Sequence, residues 1–516
     1  MSNVQNPKLL RLHNTDNVAI VCNDHGLNAG TETADGVILT EDVPQAHKVA
    51  LADLPENTPI IRYGVTIGYA LRHIRKGSWV NEGIVRMPEA PPLDTLDTNV
   101  SYTPLLPAIE GHTFAGYPNP DGSVGTRNIL AISSTVHCVA GVIDYAVKRI
   151  QRELLPKYPH VDNAIAIQHS YGCGVAIDAP DAYIPIRSLR NIAANPNFGG
   201  EGILVTLGCE KLTPERLFPE ARTPLAKSVT LLNLQDDSFV GFKSMVSAIM
   251  DAAEEKLEKL NRRRRETVPA SAICLGLQCG GSDAFSGAAA NPAVGLAADM
   301  FVRAGATVFF SEVTEVRDAI DQLVARAASP AVAKDLIAQM AWYDAYLARG
   351  GVDRSANTSP GNKKGGLNNI VEKAMGSIAK SGSSPISGVY GPGEKIPPER
   401  KGLYYVATPA SDIVCGPSQV AAGMNVLVFV TGRGTPYGLA SVPTIKVGTR
   451  NDLARRWHDL IDVNAGAIVS GDSTLQKVGE EIFRAVLEIA GGKRKSWAEH
   501  WGLDNVMAVF NPAPIT

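Results

Sequence analysis

Hydrophobic positions over the first ninety residues fall into short runs separated by turn signals. Runs at 17–22, 47–51 and 60–62 are apolar and β-prone, and the dipeptides His-Gly, Asp-Gly, Tyr-Gly and Lys-Gly lie between such runs. No helical period of useful length occurs in this stretch. The pattern predicts an all-β unit over residues 8–90, within a first domain of residues 1–92.

The next stretch, residues 93–124, has a different character. It holds many prolines and shows little periodicity. Proline restricts the backbone and favours extended conformations, so the pattern predicts an extended linker that is stiffened by proline.

From Thr126 onward, apolar β runs alternate with helical periods. The run at 129–133 precedes a helical period at 141–153, and further pairs follow to the end of the chain. Such alternation predicts parallel α/β sheets. Because one sheet over the whole stretch would be large, we divide it into a middle domain of residues 125–268 and a C-terminal domain of residues 269–516. The Gly/Ser/Asn/Lys-rich segment 354–384 is expected to include a loop over the site.

Composition excludes several classes of protein. The 516 residues are 45% hydrophobic with a net charge of −3, which argues against disorder and leaves no electrostatic footprint for nucleic acid. No uncharged apolar run reaches the roughly 18 residues that cross a bilayer, and the N-terminus lacks the order of a signal peptide, so no membrane association is expected. Seven cysteines without a signal favour reduced thiols in the cytoplasm over a disulfide framework.

Five of the seven cysteines fall just past predicted strands, where open α/β sheets bind ligands. A single buried cysteine is usually an inert apolar residue, but five equivalent positions, most beside glycine, favour a site. Their wide spacing does not match a zinc ribbon, so a metal or cluster site assembled from separate strand ends stays open. The five are Cys138, Cys173, Cys209, Cys279 and Cys415.

Histidine and acidic residues extend this pattern. His169, Asp283, Glu312 and Glu315 also follow predicted strands. A lone histidine at such a place is more often structural. Carboxylate, imidazole and thiolate groups that converge on one edge would nevertheless suit a divalent transition metal.

Three glycine-rich segments, 278–287, 359–366 and 431–438, predict anion binding. They offer backbone N–H groups together with Lys363, Lys364 and Arg433, which can hold phosphate or carboxylate. None matches a nucleotide-binding motif. The residues alone therefore indicate an enzyme that acts on a small anionic substrate, with metal dependence as an open alternative.

At these motifs the sequence resembles the galactarate/altronate dehydratase family. The resemblance spans almost the whole chain, and strings of this length in the same order are very specific. VHCVAG, GCGVAI and ASDIVCG resemble the galactarate branch. Matching strings include HNTDNVAIVCNDHGL, PQAHKVAL, GYPNPDGSVGTRN, QCGGSDAFSGAAANPAVG, DRSANTSPGNKKGGL and TGRGTPYG.

The resemblance implies a hydro-lyase that removes water from galactarate, a sugar diacid, to give 5-dehydro-4-deoxy-D-glucarate. It implies Fe²⁺ as cofactor, a β-clip (SAF-like) first domain and a Rossmann-like C-terminal sheet. A homodimer, formed through the middle domain, is also expected. Two alternatives stay open: a dehydratase for altronate or another sugar acid, and a non-catalytic protein that binds sugar acids.

The resemblance also suggests roles for particular residues, which we state as expectations. Because thiolate-rich sites favour clusters, an iron–sulfur cluster remains the alternative to mononuclear iron. The expected catalytic residues are His47, Lys48, His169 and Tyr171. The expected substrate-binding residues are Arg62, Lys363, Lys364 and Arg433. The expected metal ligands are Cys138, Cys173, Cys209, Cys279, Asp283 and Glu312.

Overall fold

The computed structural model describes residues 6–99, 104–219 and 228–516. Its first domain is all-β, as predicted. The strands are β1 (Leu9–Leu10), β2 (Val18–Val21), β3 (Lys48–Ala50), β4 (Pro59–Arg62), β5 (Val65–Ala70), β6 (Trp79–Val80) and β7 (Val85–Arg86). They form a four-stranded sheet in the order β1-β2-β3-β6 and a three-stranded sheet in the order β4-β5-β7. Buried apolar residues from both sheets, such as Val18 and Ile67, make one core.

The linker after this domain is shorter than predicted. Strands β8 (Thr113–Pro118) and β9 (Val124–Gly125) form a three-stranded antiparallel sheet with β14 (Glu266–Pro269). The prediction of a linker up to residue 124 is therefore wrong from Thr113 onward. The partner of β8 lies beyond the whole middle domain, so local periodicity does not reveal the pairing. Residues 100–103 of the predicted linker lie outside the described residues.

Arginines of the C-terminal domain hold the linker in place. Arg303 donates to the carbonyl of Pro107 at 2.7 Å, and Arg317 donates to that of Pro91 at 3.0 Å. The chain just before the linker, at Pro91, and the linker at Pro107 therefore both lie against the C-terminal domain.

The middle domain is built on a parallel four-stranded sheet, as the alternation predicted. In sheet order its strands are β11 (Asn163–Ile167), β10 (Ile129–Ser134), β12 (Gly202–Thr206) and β13 (Val229–Asn233). Helices α1 (Ala140–Arg149) and α4 (Gly241–Leu260) pack on one face, and α2 (Tyr183–Ala193) packs on the other; the short α3 (Pro214–Leu217) follows β12. Successive strand residues point to opposite faces, so Leu130 and Ile132 meet α1 and α4 while Ile129 and Ala131 face the C-terminal domain.

The C-terminal domain contains a parallel seven-stranded sheet. In sheet order its strands are β17 (Ile386–Tyr390), β18 (Gly402–Val406), β16 (Thr307–Phe310), β15 (Cys274–Cys279), β19 (Val426–Thr431), β20 (Thr444–Gly448) and β21 (Val463–Asn464). Strand β15 comes before the other six strands of this sheet in sequence and lies at its centre. The later strands are therefore added on both sides of β15. The crevice beyond its carboxyl end is where open sheets of this kind bind ligands.

Helices cover both faces of this sheet. On one face lie α5 (Asn291–Arg303), α7 (Pro330–Arg349) and α13 (Leu475–Ala490); on the other, α10 (Asp412–Ala422) packs toward the middle domain. The shorter helices are α6 (Ile320–Val324), α11 (Asn451–Arg456), α12 (Gly466–Ser470) and α14 (Trp497–His500). None of the described helices is long and apolar enough to cross a membrane.

The segment expected to include a loop over the site, 354–384, contains two helices. Helix α8 (Pro360–Lys364) begins with a capping box between Ser359 and Asn362. Helix α9 (Ile370–Ser377) begins at Asn369, whose side chain accepts from the backbone N–H of Glu372. The sequence did not reveal these two helices, because Asn is common in loops and here Asn369 caps a helix.

Helix α9 carries the main polar contact between the first and last domains. The carboxylate of Glu372 is fully buried and lies between Lys48 of β3, at 2.9 Å, and Arg62 of β4. Burial alone would raise the pKa of Glu372, but these two cations outweigh that effect and hold it below its ordinary value. Arg62 also donates to the carbonyl of Ala284 at 2.7 Å. The two domains thus share one buried ionic cluster.

We expect Glu372→Ala to lower the free energy of unfolding by about 3–5 kcal/mol, because it leaves two buried cations without a counter-charge. Denaturant unfolding followed by circular dichroism measures the change. The control is Asp144→Ala, which removes a solvent-exposed pair with Lys148 and should cost no more than about 1 kcal/mol. Equal small losses in both variants would show that the Glu372 cluster does not stabilise the fold.

Candidate functional site

A cleft of about 1030 Å³ lies between the first domain and the C-terminal domain. It is the place where residues from the β domain face the glycine-rich segments of the last domain. The first domain contributes Asp24, His25, Gln45, His47, Trp79 and Glu82, and the C-terminal domain contributes Thr358, Lys363, Lys364, Arg433, Arg450 and Asp452. Four residues singled out from the sequence, His47, Lys363, Lys364 and Arg433, are therefore brought together.

Two backbones approach closely at the base of this cleft. Gly366 has a φ of +91°, and a Cβ atom there would lie 2.2 Å from the carbonyl oxygen of Ala46. Only glycine allows the α8–α9 turn to pack this tightly against the segment before β3. This contact sets the position of His47, the next residue, beside Lys364.

Both ring nitrogens of His47 are engaged. The indole N–H of Trp79 donates to Nδ1 at 3.1 Å, and Nε2 lies 3.2 Å from the carbonyl oxygen of Lys364. Burial and the nearby Lys48 ammonium lower the pKa of His47, while the hydrogen bond to Lys364 opposes this. The net direction is downward, so the imidazole is neutral at pH 7.

The cleft presents cations without counter-charges. Within the described part of the chain, no carboxylate pairs with Lys363, Lys364 or Arg433, although all three line the cleft. Arg450 differs, because it lies 3.4 Å from Asp283 and 3.6 Å from Asp452. The three unpaired cations give the cleft the chemistry of an anion site.

Two other predicted residues lie beneath the cleft rather than in it. Lys48 and Arg62 are fully buried and bind Glu372. Burial lowers the pKa of Lys48 to about 8. Their positions make them part of the contact between domains, not groups that a ligand in the cleft could touch.

A second group of predicted residues lies at the edge of the middle sheet. The loops after β10, β11 and β12 contact one another: Nδ1 of His137 is 3.3 Å from the carbonyl of His169, and Lys211 N–H donates to Gly172. These loops carry Cys138, Cys173 and Cys209, which are all exposed.

His169 and Tyr171 belong to the same loops but are buried. Nε2 of His169 lies 2.8 Å from the Ser134 carbonyl, and Nδ1 accepts from the Tyr171 N–H at 3.1 Å. Burial lowers the pKa of His169. Its ring holds the loop together, and neither residue lines the cleft.

The remaining predicted ligands lie at the carboxyl edge of the seven-stranded sheet, where Oε1 of Glu312 is buried without a hydrogen-bond partner among the described residues. Asp283 accepts from Thr449 at 2.9 Å, and Glu312 pairs with the buried Lys380. Burial and the neighbouring Glu315 raise the pKa of Glu312 to about 8. Burial also raises the pKa of Cys279 to about 12.

The six predicted metal ligands therefore do not lie together. Three belong to the middle sheet and three to the C-terminal sheet. No group of three or more His, Cys, Asp or Glu side chains among residues 6–99, 104–219 and 228–516 is arranged to hold a metal ion. The expectation that the strand-end donors converge on one edge is wrong because the donors are divided between the two sheets.

Sequence reasoning missed several residues of the site. Trp79 and Arg450 line the cleft, and Lys373 lies beneath it, 2.7 Å from Glu315 and from the side chain of Asn357. Arg450 follows β20, so placement past a strand could have identified it. Trp79 and Lys373 stand in no motif, and only tertiary contacts reveal their place.

Comparisons with known proteins cover the chain almost completely. Three family profiles match in order: altronate/galactarate dehydratase SAF domain at residues 7–88, D-galactarate dehydratase/altronate hydrolase second domain at 116–261, and D-galactarate/altronate dehydratase C-terminal at 270–515. The first domain thus has the SAF fold.

Curated relatives agree with these profiles. Galactarate dehydratase (L-threo-forming) of Escherichia coli K12 is 58% identical over 98% of this chain and 97% of its own. Altronate dehydratase of Bacillus subtilis 168 is 31% identical over 94% and 95%. The (2R)-sulfolactate sulfo-lyase subunit beta of Chromohalobacter salexigens is 26% identical over 75% of this chain and 94% of its own.

The exposure of the thiols gives a direct test of their placement. Under native reducing-agent-free conditions, an aromatic disulfide reagent should react rapidly with three thiols per chain, Cys138, Cys173 and Cys209, because only these are exposed. Cys22, Cys279 and Cys415 should react only after unfolding, since they are buried and burial raises their pKa values. Absorbance of the released thiol counts them. Rapid reaction that persists in a variant with the three replaced by serine would contradict this placement.

Proposed function

This chain belongs to the galactarate/altronate dehydratase family, and from that premise we propose that it removes water from galactarate. The proposal follows the relative that matches at 58% identity over nearly the whole of both chains. The profiles for all three domains support an intact enzyme of this family. Nothing among them favours a non-catalytic binding protein.

The observation that carries the proposal is the set of unpaired cations in the cleft. A sugar diacid brings two carboxylates, and Lys363, Lys364 and Arg433 offer charge to both. Arg433 can grip a carboxylate through two parallel N–H groups, whereas each lysine acts as a point charge. Altronate has a single carboxylate and would leave part of this charge unmatched, so the cleft favours the diacid.

The reaction begins with loss of the proton on the carbon next to a carboxylate. The resulting enediolate carries two negative charges on one carboxylate group and is unfavourable in water. Cations held in the cleft lower its free energy, because fixed charges there need no reorganisation when the charge develops. The hydroxide on the adjacent carbon then leaves and takes up a proton as water. The enol that remains becomes the ketone of 5-dehydro-4-deoxy-D-glucarate.

The cleft residues have distinct tasks in this scheme. The unpaired cations hold and orient the carboxylates, and Arg450 supports the floor through Asp283. His47 faces the same space from the other domain and supplies an imidazole within reach of a bound sugar acid. General acid–base or donor groups of this kind typically contribute about 10²–10⁴-fold to the rate.

Iron is part of the proposal, and its fit to the residues differs between the two sheets. At the C-terminal sheet it fits poorly, because Asp283 is fully hydrogen-bonded and Glu312 is paired with Lys380 through Oε2, which leaves only its Oε1 without a partner in the described part of the chain. The exposed thiols of Cys138, Cys173 and Cys209 come from three touching loops and have the ligand chemistry of an iron–sulfur cluster, but within the residues that the structure describes they are not arranged to hold a metal ion. Iron bound beside the substrate would supply Lewis-acid stabilisation of the enediolate, whereas iron held by these thiols would lie outside the cleft. These thiols do not line the cleft, so no step above depends on them.

The finer architecture and assembly are also proposals. We propose domains at residues 1–92, 125–268 and 269–516 with the linker between the first two, and a Rossmann-like C-terminal sheet, from its parallel strands and central β15. We propose a homodimer through the middle domain, where Tyr145 and Phe242 meet at 5.2 Å between ring centres and both stay about half exposed. Seven free cysteines suit a reducing compartment, the cytoplasm.

A keto-acid assay with galactarate, glucarate and altronate, under reducing conditions with added Fe²⁺, tests the function. We expect product from galactarate above the other two. Lys363→Met should raise KM for galactarate about 10-fold or more, since a charge-assisted hydrogen bond contributes about 1.5–3 kcal/mol. Lys334→Met, an exposed lysine on α7, is the control and should leave KM unchanged. Absence of product from all three acids would overturn the proposal.

Iron content and visible absorbance of anaerobically purified protein test the cofactor proposal. A variant with Cys138, Cys173 and Cys209 all replaced by serine should lose both bound iron and the absorbance of a cluster. Cys274→Ser changes a half-buried thiol outside these loops and should retain both. Iron retained by the triple variant would place the metal elsewhere.

A further inference from the structure

Among the described residues of the first domain, Trp79 is the one whose side chain hydrogen-bonds to His47. Its indole N–H donates to His47 Nδ1 at 3.1 Å, and the two rings meet edge to face with their centres 5.1 Å apart. An indole nitrogen can only donate a hydrogen bond. The Nδ1 atom must therefore present its lone pair, without a proton, to Trp79.

The other ring nitrogen faces a group of opposite character. Nε2 lies 3.2 Å from the carbonyl oxygen of Lys364, which can only accept. The proton of a neutral imidazole must then be on Nε2. The two contacts together select one tautomer, because the reverse arrangement would set two donors against each other at Trp79 and two acceptors against each other at Lys364.

We propose that Trp79 is a positioning residue that locks His47 in the Nε2-protonated neutral form, so that His47 serves as a hydrogen-bond donor rather than as the base. The inference deepens the proposed function and rests on it. In this role Nε2–H is shared between the Lys364 carbonyl and an oxygen of the bound sugar acid, where negative charge develops, and the Trp79 contact is kept. No proton leaves His47, and the proton on the α-carbon passes to a different group.

The surroundings of His47 agree with a neutral donor. Burial and the Lys48 ammonium lower the pKa of His47 and so disfavour the imidazolium form. Glu82, Glu372 and the hydrogen bond to the Lys364 carbonyl act in the opposite direction, and the net direction is downward. A neutral imidazole can polarise an oxyanion by donation without first having to hold a charge of its own. If His47 were instead the base, Nε2 would have to be free of its proton, and the Trp79 contact would have to break.

Nitrogen-15 NMR of histidine-labelled protein measures the tautomer directly and does not require activity. The His47 signals, identified by their loss in His47→Gln, should show a protonated Nε2 and an unprotonated Nδ1 near pH 7.5. Trp79→Phe keeps an aromatic ring edge but removes the donor, so it should give a substantial population protonated at Nδ1. Trp501→Phe is the control: that indole donates to the Asp459 carbonyl at 2.8 Å, is 53% exposed and lies outside the cleft. It should leave the tautomer unchanged.

The pH profile of kcat/KM gives the functional counterpart. The neutral form is present above the pKa of His47 in the folded protein and is lost as the pH falls through it. In the wild type this acid limb should lie below pH 6.5, the ordinary value. Trp79→Phe removes a bond to the unprotonated nitrogen, so the limb should move upward by about half to one pH unit. We also expect kcat to fall about 10-fold with little change in KM.

The results separate this inference from the proposed function. A wild-type His47 protonated on Nδ1, or a Trp79→Phe tautomer identical to the wild type, would overturn the inference even in an active enzyme. His47→Ala, which removes the donor, would also overturn it if turnover stayed within threefold of the wild type. Lack of activity on every sugar acid would instead overturn the function, while the NMR result would still decide the tautomer.

Discussion

The cleft exists because one carboxylate, that of Glu372, is buried between two cations that belong to another domain. Removing charges from water is costly, and only correct docking repays that cost by giving Lys48 and Arg62 their partner. If the first domain were displaced, Lys48, Arg62 and Glu372 would lose their partners of opposite charge. The ion cluster therefore acts less as a source of stability than as a condition on geometry. When these ion pairs form, Ala46 packs against Gly366 and His47 contacts Lys364 at the wall of the cleft.

The same short helix relays this condition to the sheet. Glu372 of α9 faces the first domain, and the next residue, Lys373, turns to Glu315 beyond β16 and to Asn357 and Asn362 around α8. One turn of helix thus connects the docking contact, the carboxyl edge of the sheet and the segment that carries Lys363 and Lys364. The cations of the cleft are placed by buried charges rather than by the loops that bear them.

Much of the fold could be predicted from local pattern, and the site only in part. Strand–helix alternation predicted the parallel sheets, because the hydrophobic pattern of each strand and helix can be recognised within about a dozen residues. The pairing of β8 with β14 was invisible, since the two strands are separated by a whole domain. For the site, glycine-rich segments predicted Lys363, Lys364 and Arg433 as substrate-binding residues; all three line one cleft, and their role stays a prediction. The cysteines at strand ends did not predict a common site correctly. A cysteine that follows a strand has the same local sequence pattern whichever of the two sheets the strand belongs to.

Lys48 shows a further limit of motif reasoning. It stands beside His47 in a string shared with the family, yet its side chain points down into the ion cluster while that of His47 faces the cleft. Neighbours in a strand alternate in direction, so a matched string mixes residues that meet the ligand with residues that hold the fold. Sequence similarity ranks both alike.

The linker between the first two domains acquires a specific meaning from these contacts. The walls of the cleft come from two domains. The contacts of His47 with Lys364 and of Glu372 with Lys48 cross the domain boundary and are non-covalent, whereas the contact of His47 with Trp79 lies within the first domain. The linker keeps the two domains close together. Hydrogen bonds from Arg303 and Arg317 hold the chain against the C-terminal domain, so the first domain stays at a high effective concentration beside the surface that carries Glu372. A chain cut within the linker would keep all the chemistry of the cleft and lose only that concentration, so its activity would come to depend on how much of each fragment is present.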